Sequence, residues 1–426
     1  MGGFFGVFFL LLVTGVPIAL TLGVAGMAYL YLSGNGMLVL AFPQRMMAGV
    51  DQFILLTIPL FLLAGTLMNV GGITDRIVTF ARAMTGHRRG GMSSVTVLSA
   101  GFFAGISGSA TAEAAALGSI LIPSMSKQGI PPSYAAALVA VSSIMGPIIP
   151  PSITMIVYGV LSGTSIGQLF LAGVLPGILL AGGLLIYVGW RARREGFPVT
   201  PRIDWAERRR ATVRTLPALM LPVIIIVGIK AGIFTPTEAA AVAVVYALLI
   251  GLIYRDLNRQ RIWEALISAA IVSSAILFIT AMASIVAFVF TLEGVPGKIA
   301  EAVLSISSDP LVIMLMLNIV LLLLGMFLEP ISILILTMPV LMKFAAILGM
   351  DPVQFGMMVV LNVVIGMATP PVGICLFIVC AVSGQKLTDV SRQALPLVAI
   401  CLVVLALVAL APAISLALPQ AMLPVR

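Results

Sequence analysis

Charge is what this chain has least of. Asp, Glu, Lys and Arg make up 9% of its 426 residues, where a soluble domain carries about 25%. So few charges cannot coat a water-facing surface of this length, which argues against a soluble enzyme. Histidine is nearly missing as well: His87 is the single one and sits among basic residues, leaving no constellation for a metal or a nucleophile–base pair. The three cysteines, Cys375, Cys380 and Cys401, all fall in apolar runs, where they act as small hydrophobes and imply no disulfide framework. No catalytic set is left, so the chain is read as not an enzyme.

What is abundant is apolar. Hydrophobic residues reach 61%, and runs such as 216–229, 311–324 and 394–410 are of membrane type, since roughly 20 mostly apolar residues span a bilayer core. The stretch 1–32 is apolar from its start and lacks the positively charged region of a cleaved signal peptide, so it is expected to be a retained membrane segment. The 41 glycines and 26 prolines lie inside the apolar segments rather than in polar linkers. That is the pattern of broken helices, which lipid tolerates only where protein or a water-filled cavity satisfies the freed backbone groups. A net charge of +8 would suggest nucleic acid in a soluble protein. Here the positive charges cluster in short loops between apolar segments, where they set orientation, and no nucleic-acid partner is expected.

The chain repeats itself. A shift of about 220 positions brings Gly105 onto Gly325, Gly129 onto Gly349, Pro132 onto Pro352, Gly146 onto Gly366, Pro150-Pro151 onto Pro370-Pro371 and Pro176 onto Pro396. Side-chain identity elsewhere is weak, so what is duplicated is backbone geometry. Each unit, 1–200 and 201–426, contains a hairpin-like segment (91–128 and 310–349) with Gly, Ser or Pro at its middle. A long segment follows (131–162 and 351–382), interrupted by GPIIPPS at 146–152 or GMATPPVG at 366–373. Paired prolines after a glycine remove donors and unwind the helix locally.

Between the equivalent points Pro17 and Pro236 we count five crossings, and a hairpin adds none or two. An odd count inverts the second unit. The positive-inside rule agrees: placing the arginine-rich loop 191–214 in the cytoplasm puts 18 of the 23 Lys and Arg on that side, leaving Arg45, Lys230, Lys298, Lys343 and Arg426 outside. The expected fold is an all-α polytopic membrane protein of two inverted-topology repeats, each with a re-entrant helical hairpin and a broken transmembrane helix.

Candidate binding residues fall at the breaks. Ser107, Gly108, Ser109 and Thr111 put small hydroxyl residues at the first hairpin turn, where N–H groups and a half-helix N-terminus suit an anion and carbonyls suit a cation. The plain alternative is that small residues let helices pack closely. Gly146, Pro150, Pro151 and Ser152, with Gly366, Thr369, Pro370 and Pro371, would present unpaired carbonyls near the midplane, or else merely kink a helix. Glu113 and Glu329 are acids close to the two hairpin turns, and an acid inside a membrane is a functional candidate by default. For Glu113, capping the second hairpin arm is the competing role. Glu238, after Thr235-Pro236-Thr237, is expected to cap a helix start. No Lys or Arg lies in the central motifs, and Arg45 is expected to be an interfacial anchor.

At these motifs the chain resembles the large membrane subunit of tripartite ATP-independent periplasmic (TRAP) transporters. The likeness runs over nearly the whole length: GVPIALTLG (15–23), the 58–78 stretch, the SGS hairpin, GPIIPPSITMIVYG (146–159), LPG (175–177) and TPTEAAAVAVVYAL (235–248). The resemblance implies a bacterial inner-membrane secondary transporter of elevator type, driven by a sodium gradient and needing no organic cofactor. Its implied partners are a four-helix small membrane subunit and a periplasmic binding protein that delivers a small organic acid. No four-helix extension precedes Met1, so the small subunit is expected as a separate polypeptide. Sodium sites built from hairpin and unwound-helix backbone carry over to Ser107, Gly108, Ser109, Gly146 and Pro150, and in the second half to Gly325, Gly366, Ala368 and Thr369. Where many members of that family have Asp, this chain has Glu113. The competing function is a standalone ion-coupled organic-anion carrier that needs no binding protein. Neighbouring genes for a small four-helix protein and an exported one would discriminate.

Overall fold

A computed structural model describes residues 2–199 and 204–423. The boundary expected at 200/201 and two of the counted arginines, Arg202 and Arg426, lie outside the described residues. Ten helices form the first half: α1 (Gly2–Val13), α2 (Ile18–Leu32), α3 (Phe42–Val50), α4 (Thr57–Val70), α5 (Ile73–Thr85), α6 (Gly91–Ser107), α7 (Ala110–Lys127), α8 (Pro132–Ser143), α9 (Ile153–Ser162) and α10 (Ile166–Arg194). The second half runs α11 (Trp205–Lys230), α12 (Pro236–Ile253), α13 (Arg259–Leu292), α14 (Val295–Ile306), α15 (Pro310–Phe327), α16 (Pro330–Leu348), α17 (Pro352–Gly366), α18 (Ile374–Ser383), α19 (Leu387–Leu410) and α20 (Pro412–Met422). Among the described residues, eight helical segments are long and apolar enough to cross a membrane.

The two hairpins and the two broken helices fall where the glycine and proline punctuation places them. α6 and α7 make the first hairpin and α15 and α16 the second; α8 with α9, and α17 with α18, are the interrupted segments. Helix starts carry the expected chemistry. Thr235 and Glu238 form a reciprocal capping box at α12, and Asp351 accepts from Val353 and Gln354 at α17.

The packing exchanges elements between halves reciprocally. α7 lies on α18 while α16 lies on α9, and α8 packs on α19 while α17 packs on α10. Such pairing is what two related repeats produce when they interlock. One bundle gathers α6–α10 with α15–α20. The other gathers α2–α4 with α12 and α13, and the two meet where α4 touches α6 and α9 and where α13 touches α16.

One expectation is sharpened and another changes. The 1–32 segment divides in two: the chain breaks at Thr14–Pro17, with Gly15 at φ 81°, and α1 folds back against α2. α1 has 12 residues, about 18 Å of helix, too short for a hydrocarbon core of about 30 Å. The arginine-rich 191–214 region is mostly helix rather than loop, because α10 runs to Arg194 and α11 starts at Trp205. Its arginines are also not all free surface charge. Arg191 is buried, donates to Glu195 at 2.8 Å and Gln393 at 2.7 Å, and stacks on Tyr134. Arg208 donates to the Ala83 carbonyl at 2.9 Å and contacts His87.

Candidate substrate and ion site

The first hairpin turns on one residue. Gly108 adopts φ 62°, and a Cβ added there would stand 2.8 Å from the Pro151 carbonyl oxygen, so only glycine both makes the turn and lets it touch the first broken helix. Ser109 then caps α7: its hydroxyl accepts from the Ala112 N–H at 3.4 Å and shares a hydrogen bond with Thr111 at 3.1 Å. The Ser107 hydroxyl donates to the Ser109 carbonyl at 3.4 Å. On the facing break, Ser152 caps α9, donating to Pro147 at 2.5 Å and accepting from Met155 at 3.2 Å. The peptides Pro150–Pro151 and Pro370–Pro371 are both cis.

The second half repeats the arrangement with tighter backbone contact. A Cβ on Gly366 would fall 2.5 Å from both Cα and the carbonyl carbon of Gly325. The Gly373 N–H donates to the Met326 carbonyl at 2.9 Å, tying the break between α17 and α18 to the tip of α15. By length α15 and α16 qualify as full spans, yet their shared tip is held against the middle of the broken segment. The Thr369 hydroxyl donates to the Ile365 carbonyl at 2.8 Å, inside its own turn. Gly325 and Gly366 thus serve close packing in this geometry, the role that small residues play between membrane helices.

Glu113 does not cap α7, because Ser109 does. Its side chain is completely buried and neither carboxylate oxygen has a hydrogen-bond partner. It faces Gly146, where a Cβ would stand 2.7 Å from Oε2 and 3.3 Å from the Ser109 carbonyl oxygen, so both oxygens converge on one spot beside the break. Buried polar atoms are nearly always paired in folded proteins. An orphaned carboxylate beside a backbone carbonyl is an oxygen-only donor set, which fits a small hard cation. Among the described residues no cluster of three His, Cys, Asp or Glu side chains forms a metal site.

A cavity of about 410 Å³ lies between the two bundles. Ser107, Gly108, Ser109 and Thr111 line it from the first hairpin, Pro147 and Thr154 from the first break, Glu329 and Pro330 from the second tip, and Met367 from the second break. Three helix starts reach its wall: α7 at Ala110, α9 at Ile153 and α16 at Pro330. Among the described residues, no lysine or arginine lines it. The expected site residues therefore divide into two tiers. Ser107, Gly108, Ser109 and Glu329 face the cavity, whereas Glu113, Gly146, Pro150, Gly325, Gly366, Ala368 and Thr369 do not line it.

Sequence reasoning missed Thr154 and the far wall, which α4 and α13 supply through Thr66, Asn69 and Ser268. Thr66 and Asn69 stand three apart in an apolar helix, a one-face polar pair that was visible in the sequence. Gly65 beside them lets α4 approach the first tip: a Cβ there would be 3.0 Å from the Ile106 carbonyl oxygen. Arg45 does not line this cavity; its guanidinium stacks on Phe288 at 4.4 Å.

The family described as "Tripartite ATP-independent periplasmic transporter, DctM component" matches residues 5–414. The chain is 38% identical over 411 residues to the sialic acid TRAP transporter large permease protein SiaM of Vibrio cholerae, covering 96% of each. It is 42% identical over 371 residues to the C4-dicarboxylate TRAP transporter large permease protein DctM of Pseudomonas aeruginosa, covering 87% of each. It is 37% identical to the DctM protein of Rhodobacter capsulatus, covering 98% of each. Among solved structures, the Alcanivorax borkumensis YdaH transporter shares the fold at a TM-score of 0.62 and 12% identity, over 88% of each chain. With hairpins, breaks and full-length sequence likeness in agreement, the chain belongs to the DctM component family of tripartite ATP-independent periplasmic transporters.

Proposed function

We propose that this chain is the large permease of a sodium-coupled transporter in the bacterial inner membrane, importing a small organic acid delivered by a periplasmic binding protein. A four-helix small membrane subunit completes the complex. The observation that carries this reading is the cavity between the hairpin tips: three helix N-termini and several hydroxyls reach it, and among the described residues no basic side chain does. Helix N-termini carry partial positive charge and suit a carboxylate. Glu329 in the same wall adds a negative charge that those dipoles must offset. An anion next to Glu329, with no guanidinium to balance it, is stabilised by a co-bound cation, which is the physical basis of coupling. We put sodium just behind the cavity wall, where the Glu113 carboxylate and the Ser109 carbonyl converge on Gly146, with Ser107 on the cavity side and Pro150 beside the break. Gly366, Ala368 and Thr369 offer the matching backbone in the other half. The hairpin-bearing bundle moves past α2–α4, α12 and α13 as an elevator, carrying the cavity with it.

Uptake of labelled sialic acid and succinate into proteoliposomes tests this reading, because relatives named for each class are similar to this chain. Activity is expected only with the small subunit, a loaded binding protein and an inward sodium gradient together. Full uptake of free substrate by this chain alone would establish the standalone carrier instead. Undiminished uptake without sodium would end the sodium assignment.

A further inference from the structure

Three helices belong to neither bundle and join one to the other: α5 leads from α4 to α6, α11 from α10 to α12, and α14 from α13 to α15. How they are fastened decides where the bundles can move. α5 is tied at its two ends to different bodies. Towards its far end Phe80 packs on Phe102 of α6 with ring centroids 5.4 Å apart, and just beyond it the Gly90 N–H donates to the Pro198 carbonyl, after α10, at 3.1 Å. A Cβ on Gly90 would stand 2.5 Å from that of Ala192. This corner is therefore packed on α10 and belongs to the hairpin-bearing bundle.

The near end is held by one side chain. Arg76, in the first turn of α5, sends its guanidinium back towards the scaffold. Nη1 donates to the carbonyls of Gly71 at 3.2 Å and Gly72 at 2.9 Å, Nη2 pairs with the Asp256 carboxylate at 2.5 Å, and the group stacks on the Tyr254 ring at 4.0 Å. Gly71 closes α4, Tyr254 closes α12, and Asp256 lies in the turn before α13. The ends of α4 and α12 meet here, since a Cβ on Gly71 would stand 3.8 Å from the Gly251 Cα. Gly72, at φ 70°, makes the turn into α5 and leaves room for the ion pair, because a Cβ there would come within 3.2 Å of the Asp256 Oδ2. α11 is drawn to the same point: Thr215 donates to the Arg76 carbonyl at 3.1 Å, and the Tyr254 hydroxyl to the Arg214 carbonyl at 2.6 Å.

A gate between two sliding bodies has partners on both. Every partner of this guanidinium among the described residues lies at the ends of α4 and α12 or in the turns that follow them. We infer, on the elevator reading proposed above, that Gly71–Gly72 is the pivot on which α5 carries the first hairpin, and that Arg76 holds this pivot to the scaffold throughout the cycle. The 13 residues of α5 make an arm of about 20 Å, and Arg76 lies about 6 Å along it. A swing that displaces the far end thus moves Arg76 by less than a third as much, which its long side chain can follow.

The test uses the full chain lacking Cys375, Cys380 and Cys401, with the remaining transporter components, in proteoliposomes. Asp75→Cys with Ile253→Cys joins the root of α5 to the end of α12; both positions line the cleft beside the ion pair. Leu62→Cys with Phe103→Cys joins α4 to α6 across the cavity between the bundles. A short bis-methanethiosulfonate reagent is expected to leave uptake in the first pair and stop it in the second, reversibly on reduction. Arg76→Gln should lower maximal uptake about fivefold, what a partly exposed ion pair and a ring contact are together worth, with half-saturating sodium unchanged. Arg76→Lys, which keeps the charge opposite Asp256, should lose less. Arrest by the first crosslink overturns the pivot and leaves the elevator standing, as does unchanged uptake by Arg76→Gln. Transport that survives both crosslinks removes the elevator reading and the pivot with it.

Discussion

Replacing Gly366 by Ala is the sharpest perturbation the geometry allows. The added Cβ would stand 2.5 Å from the Cα and carbonyl carbon of Gly325, where ordinary contacts begin at 3.4 Å. The clash is with backbone, so no rotamer change relieves it, and α15 and α17 must separate by about 0.9 Å, the difference of those two distances. Forcing an extra methyl into a packed interior costs about 1–3 kcal/mol, which a large membrane bundle absorbs without unfolding. Function is less forgiving, since a misplacement of about 1 Å at a working site costs on the order of 100-fold. The second tip is tied to this break through Gly373 and Met326, and carries Glu329 into the cavity. We therefore expect uptake by Gly366→Ala to fall at least about tenfold, with folded yield on size exclusion largely kept. Gly182→Ala is the control, because no atom lies within 4 Å of its added Cβ in the body of α10. Equal transport by the two variants would refute the idea that this glycine contact positions the site.

Two further predictions concern coupling and topology. Ser109→Ala removes a hydroxyl that faces the cavity and caps α7; it should raise the sodium concentration for half-maximal uptake severalfold, beyond the roughly 1 kcal/mol that a lost cap takes from stability. Thr369→Ala should do less, because that hydroxyl is already engaged with Ile365, and a larger effect at Thr369 than at Ser109 would reverse the assignment of the two sites. In a background lacking Cys375, Cys380 and Cys401, Val199→Cys should label only from the cytoplasm and Ser308→Cys only from the periplasm; labelling of both from one side would refute the inversion of the repeats.

Most of the fold was legible because it is written in residues whose backbone consequences are local. Gly108 can take a left-handed turn at no steric cost, and the proline pairs at Pro150 and Pro370 interrupt a helix by removing its donors. That is why both hairpins and both breaks fell within a few residues of where the sequence put them. How the 1–32 stretch divides was open in the sequence, because apolarity alone does not show that the chain turns at Gly15 and Pro17 into two short helices. The role of Glu113 was open for a related reason. Ser109, four positions earlier, is an equally good cap, and only packing decides which of the two turns inward.

The wall of the cavity was harder to foresee, and the cause lies in how the two halves diverged. A shift of about 220 positions keeps glycines and prolines in register, so it keeps the turns, the breaks and the close approach of tip to break. It does not keep the side chains at the tips: the first reads Ser107-Gly108-Ser109, the second Phe327-Leu328-Glu329. One tip thus brings hydroxyls to the cavity and the other a carboxylate, although their backbones are related. Groups that depend on backbone, such as the carbonyl of Ser109 beside Gly146, can be doubled by duplication. Groups that discriminate one substrate from another cannot, because they lie on side chains that each half chose separately and on α4 and α13 opposite. A transporter built this way can hold its ion-binding framework fixed while its cavity wall drifts. The similar relatives named for sialic acid and for C4-dicarboxylates are what such a division of labour permits. Exchanging Thr66, Asn69, Thr154 and Ser268, which line the cavity, is expected to shift the ratio of sialic acid to succinate uptake, whereas changing the glycines behind them is expected to lower both alike.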